Sequence, residues 1–442
     1  MQTGSPEDAP RWNLTRVYEG VDSDAFLRDR GRLGELVASF ARRVADDETR
    51  LSDAGQWLAR VLETLNTLLD THENLEAFVY ASYSTDTTNA SLVRELDALQ
   101  ELVQPVQSAR AVFRTHLAHL GTELLELAED DERIAPYRFF LEEERYLADH
   151  QMAPAEEDLA AELSRPGADA WSRLQQTISS TISVDWGDGE RRTMVDLRGL
   201  AHDRDRATRE RAYHAELDAW RDVEVPLAAA LNGVKGFAVV LDTRRGFSQS
   251  LEQAILQSRI SRDSLDALIG VMEESLPVFR RYLTTKAGLI GVERLAFYDL
   301  FAPVGQSTAS WTFAAAQEFI LEQFAGFSDE LAAFAENAFD GRWIDAEPRS
   351  GKVGGGYCIS FPLAGESRIL CNFDGSFDGV GTVAHELGHA YHHHVLKDAP
   401  AVHRDYPMTL AETASIFCET IAFSGGLAGA APAEELHVLE QA

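Results

Sequence analysis

With 442 residues, 45% hydrophobic and 25% charged, the chain has the make-up of a soluble protein of two or three packed units. Its 72 acidic and 40 basic residues leave a formal net charge of −32, a field that repels phosphate backbones and excludes nucleic acid as a partner. Cys358, Cys371 and Cys418 lie far apart with no C-x-x-C pair, which excludes a disulfide framework and points to a reducing compartment.

The opening MQTGSPEDAPRWNL has no basic n-region and no apolar h-region, so it reads as no signal peptide. No run of about 18 apolar residues interrupts the chain, as a membrane span would require. The expectation is a cytoplasmic protein with no membrane partner. Residues 24 to 180 read as successive helices. Leu58, Leu62, Leu65 and Leu69 recur at spacings of four, three and four, which stacks them on one helical face. Leu92, Leu96, Leu99, Val103 and Val106 repeat the pattern, with Asn89 or Ser91 as the cap and Pro105 as a kink or stop.

Near residues 181 to 197 the periodicity switches to two alternating runs around Asp188-Gly189, a hairpin signal. A domain boundary is placed here, giving 1–185 and 186–442. Helical periodicity then resumes, with Ser261 as an N-cap. Beyond Trp343, GYCISFP and SRILCNF read as two strands turning at LAGE. A helix follows from Thr382 through Leu396, then a loop around Pro400 to Pro407. Another helix runs from Thr409 to about Phe423 and carries Glu412 and Glu419 on one face.

The stretch TVAHELGHAYHHHVL holds five of the chain's 13 histidines. His385-Glu386-Leu387-Gly388-His389 is H-E-x-x-H, and residues four apart on a helix lie about 40° apart around its axis. Both imidazoles can reach one metal ion, while Glu386 projects toward the open coordination position, where it can take a proton from water. A third ligand ten residues after His385 fails, because that position is Val395. Glu412 instead completes a His2Glu set with one place left for water, the arrangement of catalytic zinc. Glu419, seven residues on, is placed to orient a ligand imidazole; its plainer reading is a solvated acid on a helix face.

The segments H-E-x-G-H-x-x-H, matched by His385, Glu386, Gly388, His389 and His392, and E-x-x-S-x-x-x-E, matched by Glu412, Ser415 and Glu419, resemble the M3 family of zinc metallopeptidases, and its oligoendopeptidase F branch above all. The linker between them is slightly shorter than in that family. WNLTRVYEG resembles the branch's W-D-L-S-x-L-Y opening, and FYDLFAPV, RWIDAEPRSGKVGGGYCISFP and ILCNFDGSFDGVGTVAHELGH resemble family segments in the same order. The resemblance therefore runs from Trp12 through nearly the whole chain.

It implies a mainly α fold: a multi-helix clamshell around a peptide channel, with a small β-sheet beside the H-E-x-x-H helix. Residues 1–185 would be a helical oligoendopeptidase F-like domain and 186–442 the catalytic domain. One Zn2+ per chain would be held by His385, His389 and Glu412, with Glu386 as general base and short unfolded oligopeptides as substrates. The strand from Arg368 to Phe373 would pair with substrate backbone by β-augmentation. Gly354 to Gly356 would let a peptide approach closely, so that Gly355, Gly356 and Tyr357 are the substrate-binding candidates; a plain mobile turn is the other reading of the glycines. Lys352 precedes them, which rules out a P-loop. His393, His394 and His403 read as exposed polar residues.

Relatives of this kind continue past the second glutamate segment into a loop with histidine and tyrosine that donates to the oxyanion. Here the last residues, AFSGGLAGAAPAEELHVLEQA, hold no tyrosine and only His437, and a helix starts at Pro432 with nothing after it to pack against. The resulting expectation is a C-terminally truncated member that binds zinc and cleaves weakly or not at all, unless a tyrosine such as Tyr357 serves instead. The rival readings are a non-catalytic or weakly active zinc- and peptide-binding protein, and a helical scaffold whose H-E-x-x-H is accidental. Nothing in the sequence sets the oligomeric state.

Overall fold

A computed structural model describes residues 9–305, 310–349, 351–432 and 434–441. Residues 1–8, more than half of the stretch read above for a signal peptide, lie outside that description. In chain order the principal elements are α1 (Asp24–Val44), α2 (Ala54–Thr85), α3 (Ala90–Val103), α4 (Pro105–Leu120), α5 (Arg138–Asp149), the hairpin β1 (Ser183–Gly187) and β2 (Glu190–Thr193), α6 (Arg206–Asp222), α7 (Glu224–Arg244), α8 (Arg262–Leu289), α9 (Phe313–Phe327), α10 (Asp329–Asp340), β3 (Ile344–Asp345), β4 (Tyr357–Phe361), β5 (Glu366–Leu370), α11 (Phe377–Leu396), α12 (Met408–Ala411), α13 (Thr413–Gly429) and α14 (Glu435–Gln441). The fold is mainly α, as expected.

Two compact units divide the chain. The first is Met1–Pro154 with Thr308–Ala430 and Gln441–Ala442; the second is Ala155–Ser307 with Ala431–Glu440. In the first, the leucine stripe of α2 is core: Leu58, Leu62 and Leu65 are buried in a cluster shared with Phe26 and Phe40 of α1, Phe113 of α4 and Phe140 of α5, and Leu69 packs at the cluster's edge. Asn89 caps α3 by accepting from the Ser91 N–H at 3.1 Å. Pro105 stops that helix, because it lacks the N–H an interior turn needs. Val106 therefore belongs to α4 and not to the same helix as Leu92. The core extends from these helices to Phe361 and Ile359 of β4 and to Val402, which ties the helical layer to the sheet.

That sheet has the order β3-β5-β4. β4 and β5 pair antiparallel, Tyr357 opposite Leu370 and Ile359 opposite Arg368. β3 pairs parallel with β5, Ile344 opposite Ile369. This corrects the assignment of substrate pairing to Arg368–Phe373. The Ile369, Cys371 and Phe373 N–H groups already donate to Trp343, Asp345 and Ala346 carbonyls at 2.9, 3.0 and 2.9 Å, and β4 occupies the other edge. A central strand has no free ladder to offer a peptide.

In the second unit, the Asp188-Gly189 turn has φ of 53° and 81°, the left-handed pair that a two-residue hairpin requires. Ser261 caps α8 by accepting from the Ser264 N–H at 3.0 Å. Asp299 is buried between Arg206 and Arg209, both at 3.0 Å. The final helix starts at Glu435, after Pro432, and does find a partner: Glu440 binds Lys286 of α8, whose ammonium also donates to the Leu300 carbonyl at 2.7 Å. Elsewhere α8 buries only Lys286 and Ala287 and exposes large apolar residues such as Val271, Met272 and Phe279. Among the described residues α7 alone is long and apolar enough to cross a membrane, with a mean hydropathy of 1.4. Lys235 and Asp242 interrupt its apolar run.

Candidate metal centre

The H-E-x-x-H segment lies in the middle of α11. Ser376 caps this helix, accepting from the Gly379 N–H at 3.0 Å, and Asp374 in turn accepts from the Ser376 N–H at 2.9 Å. One helical turn separates His385 from His389, and their ring centroids stand 5.0 Å apart. The partner of α11 is α13, and the two backbones touch at Gly388. A Cβ there would lie 2.5 Å from the Ala414 carbonyl oxygen and 2.6 Å from Ser415 Cα. Only a residue without a side chain permits that crossing, and the crossing brings the glutamate segment to the histidines. Gly388→Ala is therefore expected to destabilise the metal-free protein by about 1–3 kcal/mol, the usual range for overpacking. Gly354→Ala, with nothing within 4 Å, should leave urea denaturation unchanged. Equal midpoints for the two variants would reject this account.

Glu412 does not sit inside a continuous helix from Thr409, as the sequence suggested. It occupies the break between α12 and α13, with φ −91° and ψ 6°. From there its Oε2 lies 3.2 Å from His385 Nε2 and 3.3 Å from His389 Nε2. Glu419, two turns along α13, places Oε2 3.0 Å from His385 Nδ1. When Glu419 accepts the Nδ1 proton, Nε2 of His385 is left as a lone pair facing the carboxylate and the second imidazole.

Three acceptor atoms of His385, His389 and Glu412 thus lie within 4.8 Å of one another. A single cation can bridge such a set. Two ligand atoms about 2.05 Å from a tetrahedral zinc are about 3.3 Å apart, which matches the nitrogen–oxygen separations above. Ser415 Oγ donates to Glu412 Oε2 at 2.6 Å and, first among several causes, holds that carboxyl below its ordinary range. Burial lowers the pKa of His389. An ionised carboxylate and a neutral imidazole are the forms that bind metal. The donor set fits zinc.

Glu386 is 6% exposed. Burial pushes its pKa up to about 7, with His385 opposing and Glu412 reinforcing the shift. Among the described residues its Oε2 has no hydrogen-bond partner, while Oε1 faces the backbone of Gly356, where a Cβ would lie 2.9 Å away. Gly356 is thus held against the carboxylate. The loop before it is tied down on both sides. Lys352 donates to the carbonyls of Asp345, Glu347 and Cys371 at 3.0, 3.1 and 2.6 Å, and Asn372 Nδ2 donates to those of Val353 and Gly355 at 3.0 and 3.1 Å. Gly355 adopts φ 81°, a conformation glycine reaches without strain. Tyr357 is turned into the fold: its hydroxyl is 2.6 Å from Ser84 Oγ, and burial raises its pKa.

The remaining histidines are not the exposed residues expected. His393 Nδ1 lies 3.3 Å from Ser367 Oγ and Nε2 3.3 Å from the Tyr406 hydroxyl. His394 packs on Phe334, with centroids 5.0 Å apart. His403 Nε2 is 2.7 Å from the Pro136 carbonyl oxygen. A run of polar letters looked solvated, but three elements distant in sequence close over it. Lys352, Asn372 and Tyr406 were missed as parts of the site, since each acts through contacts that no local pattern marks.

Residues 199–426 match the family described as Peptidase family M3, and residues 117–183 match Oligopeptidase F. The chain is 22% identical over 428 residues to Oligopeptidase PepF of Bacillus subtilis (strain 168), covering 93% of this chain and 61% of that protein. It is 27% identical over 438 residues to Group B oligopeptidase PepB of Streptococcus agalactiae serotype III (strain NEM316), covering 94% and 69%. The chain thus spans less than two thirds of the length of the first of these relatives. In fold it is similar to a solved chain from Chlamydophila abortus, with a TM-score of 0.74, 21% identity and coverage of 99% and 74%. It is also similar to oligoendopeptidase-F from Enterococcus faecium, with a TM-score of 0.62, 18% identity and coverage of 92% and 68%.

Proposed function

The chain belongs to Peptidase family M3, which it matches over residues 199–426, and from that premise we propose that it is a zinc-dependent endopeptidase that hydrolyses internal bonds of short unfolded peptides. The observation that carries this reading is the convergence of His385, His389 and Glu412 beside a buried carboxylate, Glu386, one oxygen of which has no hydrogen-bond partner among the described residues. His385, His389 and Glu412 would hold one zinc ion per chain, which when bound would supply Lewis acidity to a scissile carbonyl and to water. Glu386 takes the proton of the attacking water and delivers it to the departing amide nitrogen. Glu419 holds His385 by its Nδ1 proton, so that Nε2 faces the metal. Gly355 and Gly356 offer backbone without side chains at the edge of this site, and Gly356 admits substrate close to Glu386. Tyr357 contributes by anchoring the end of the loop through Ser84.

The functional division of the chain falls at 185/186, supported by the two family matches, which end at 183 and begin at 199. The enzyme works in the cytoplasm, a place consistent with its three free cysteines.

Purified protein incubated with a mixed peptide library should yield internal cleavages detected by mass spectrometry. A chelator should stop cleavage, zinc should restore it, and metal analysis should return about one zinc per chain. Cleavage that survives exhaustive chelation, or a protein that takes up no zinc, would reject the proposal.

A further inference from the structure

Six residues ahead of Glu412 stands Tyr406, which belongs to neither the H-E-x-x-H motif nor the glutamate segment. Its ring lies on that of His392, centroids 4.3 Å apart and planes 23° apart. Its hydroxyl lies 3.3 Å from His393 Nε2. The other nitrogen of His393 lies 3.3 Å from Ser367 Oγ of β5 and 3.8 Å from Cys358 Sγ of β4. One imidazole therefore joins the sheet to the loop that follows α11. Burial lowers the pKa of His393 to about 4. A neutral imidazole donates from one nitrogen and accepts at the other, and a hydroxyl on each side satisfies either tautomer. Pro407, next in the chain, is buried, and the four residues of α12 then lead directly to Glu412.

We propose that Tyr406, clasped by His392 across its ring and by His393 at its hydroxyl, is a positioning residue that presets the loop delivering Glu412 to His385 and His389. The inference rests on the reading of those three residues as a zinc-ligand set. Its physical basis is pre-organisation. Glu412 sits at a helix break with its side chain 45% exposed, and Ser415, three residues on, donates to its carboxylate. A ligand on such a segment loses conformational freedom when metal binds, and that loss weakens binding unless the segment is already ordered. The clasp orders it from the same helix that carries the two histidine ligands, so the loop is registered against the partners it must meet. His392 and His393 thus serve the metal site without being ligands.

The test is zinc affinity of the full 442-residue chain, read by competition with a chromophoric chelator, beside thermal melting of the metal-free protein. Tyr406→Phe keeps the stacked ring and loses the hydroxyl; Tyr406→Ala loses both. The zinc dissociation constant should rise several-fold in Tyr406→Phe and about 10- to 100-fold in Tyr406→Ala, the range seen when residues supporting metal ligands are removed. A purely structural role would lower the metal-free melting temperature and leave the zinc constant of the folded protein unchanged, and that result overturns the inference. If Tyr406→Ala does not fold, Tyr406→Phe decides, and wild-type affinity in it is the overturning result. Wild-type protein that binds no zinc would overturn the ligand assignment itself, and this inference with it.

Discussion

Glu386→Gln is expected to bind zinc as the wild type does and to lose peptide cleavage by about 10²- to 10⁴-fold, the usual contribution of a positioned general base. The amide has the size of the carboxyl, so the packing against Gly356 is kept. It cannot accept a proton from water. No ligand is altered, because Glu386 lies outside the cluster of His385, His389 and Glu412. Two readouts on one sample separate the possibilities. Zinc content measures the site, and kcat/KM on an internally quenched peptide measures the chemistry. A variant that loses both has been damaged structurally. A variant that keeps zinc and turns over at near the wild-type rate would remove Glu386 from the mechanism.

What the sequence made visible was local. His385 and His389 could be paired because the helix period is known in advance, and α11 supplies that period. The Asp188-Gly189 hairpin was visible because left-handed backbone is demanded by the turn itself. Pro105 stopped a helix for a reason it carries in its own ring. The break at Glu412 was different. MTLAETAS has neither glycine nor proline there, so local propensity favours one continuous helix. The break stands two residues before the crossing at Gly388, where Ala414 meets a residue 26 positions away in sequence. The central place of β5 was hidden for a similar reason. Its second neighbour, β3, is two residues long and lies far upstream, too short to show an alternating pattern. His393 read as solvated because Ser367 and Tyr406, which enclose it, approach from other elements. Tertiary packing overrode local appearance in each case, and in two of the three it did so next to the metal cluster.

Glu412, at the break before α13, and Glu419, within α13, separate sharply by the same logic of place. Glu412→Ala is expected to weaken zinc binding by about 10²- to 10³-fold or more, and Glu419→Ala by about 10- to 100-fold. The larger figure follows from sharing the binding energy of a closed zinc site, about 10–16 kcal/mol, over four ligands. That share is roughly 2.5–4 kcal/mol for one ligand, or on the order of 10²- to 10³-fold. Glu412 Oε2 is nearly equidistant from both Nε2 atoms, at 3.2 and 3.3 Å, where a shared cation must lie. Glu419 reaches only Nδ1 of His385, at 3.0 Å, on the side of the ring away from that point. Its removal leaves three ligands in place and frees one ring to rotate or change tautomer. Glu419→Gln should therefore be milder still, since the amide oxygen can accept the same Nδ1 proton. Metal retained after dialysis against a weak chelator gives the order directly: wild type, Glu419→Gln, Glu419→Ala, Glu412→Ala. Equal retention in the two alanine variants would mean that both carboxylates bind metal or that neither does, and the assignment of Glu412 as the third ligand would fall.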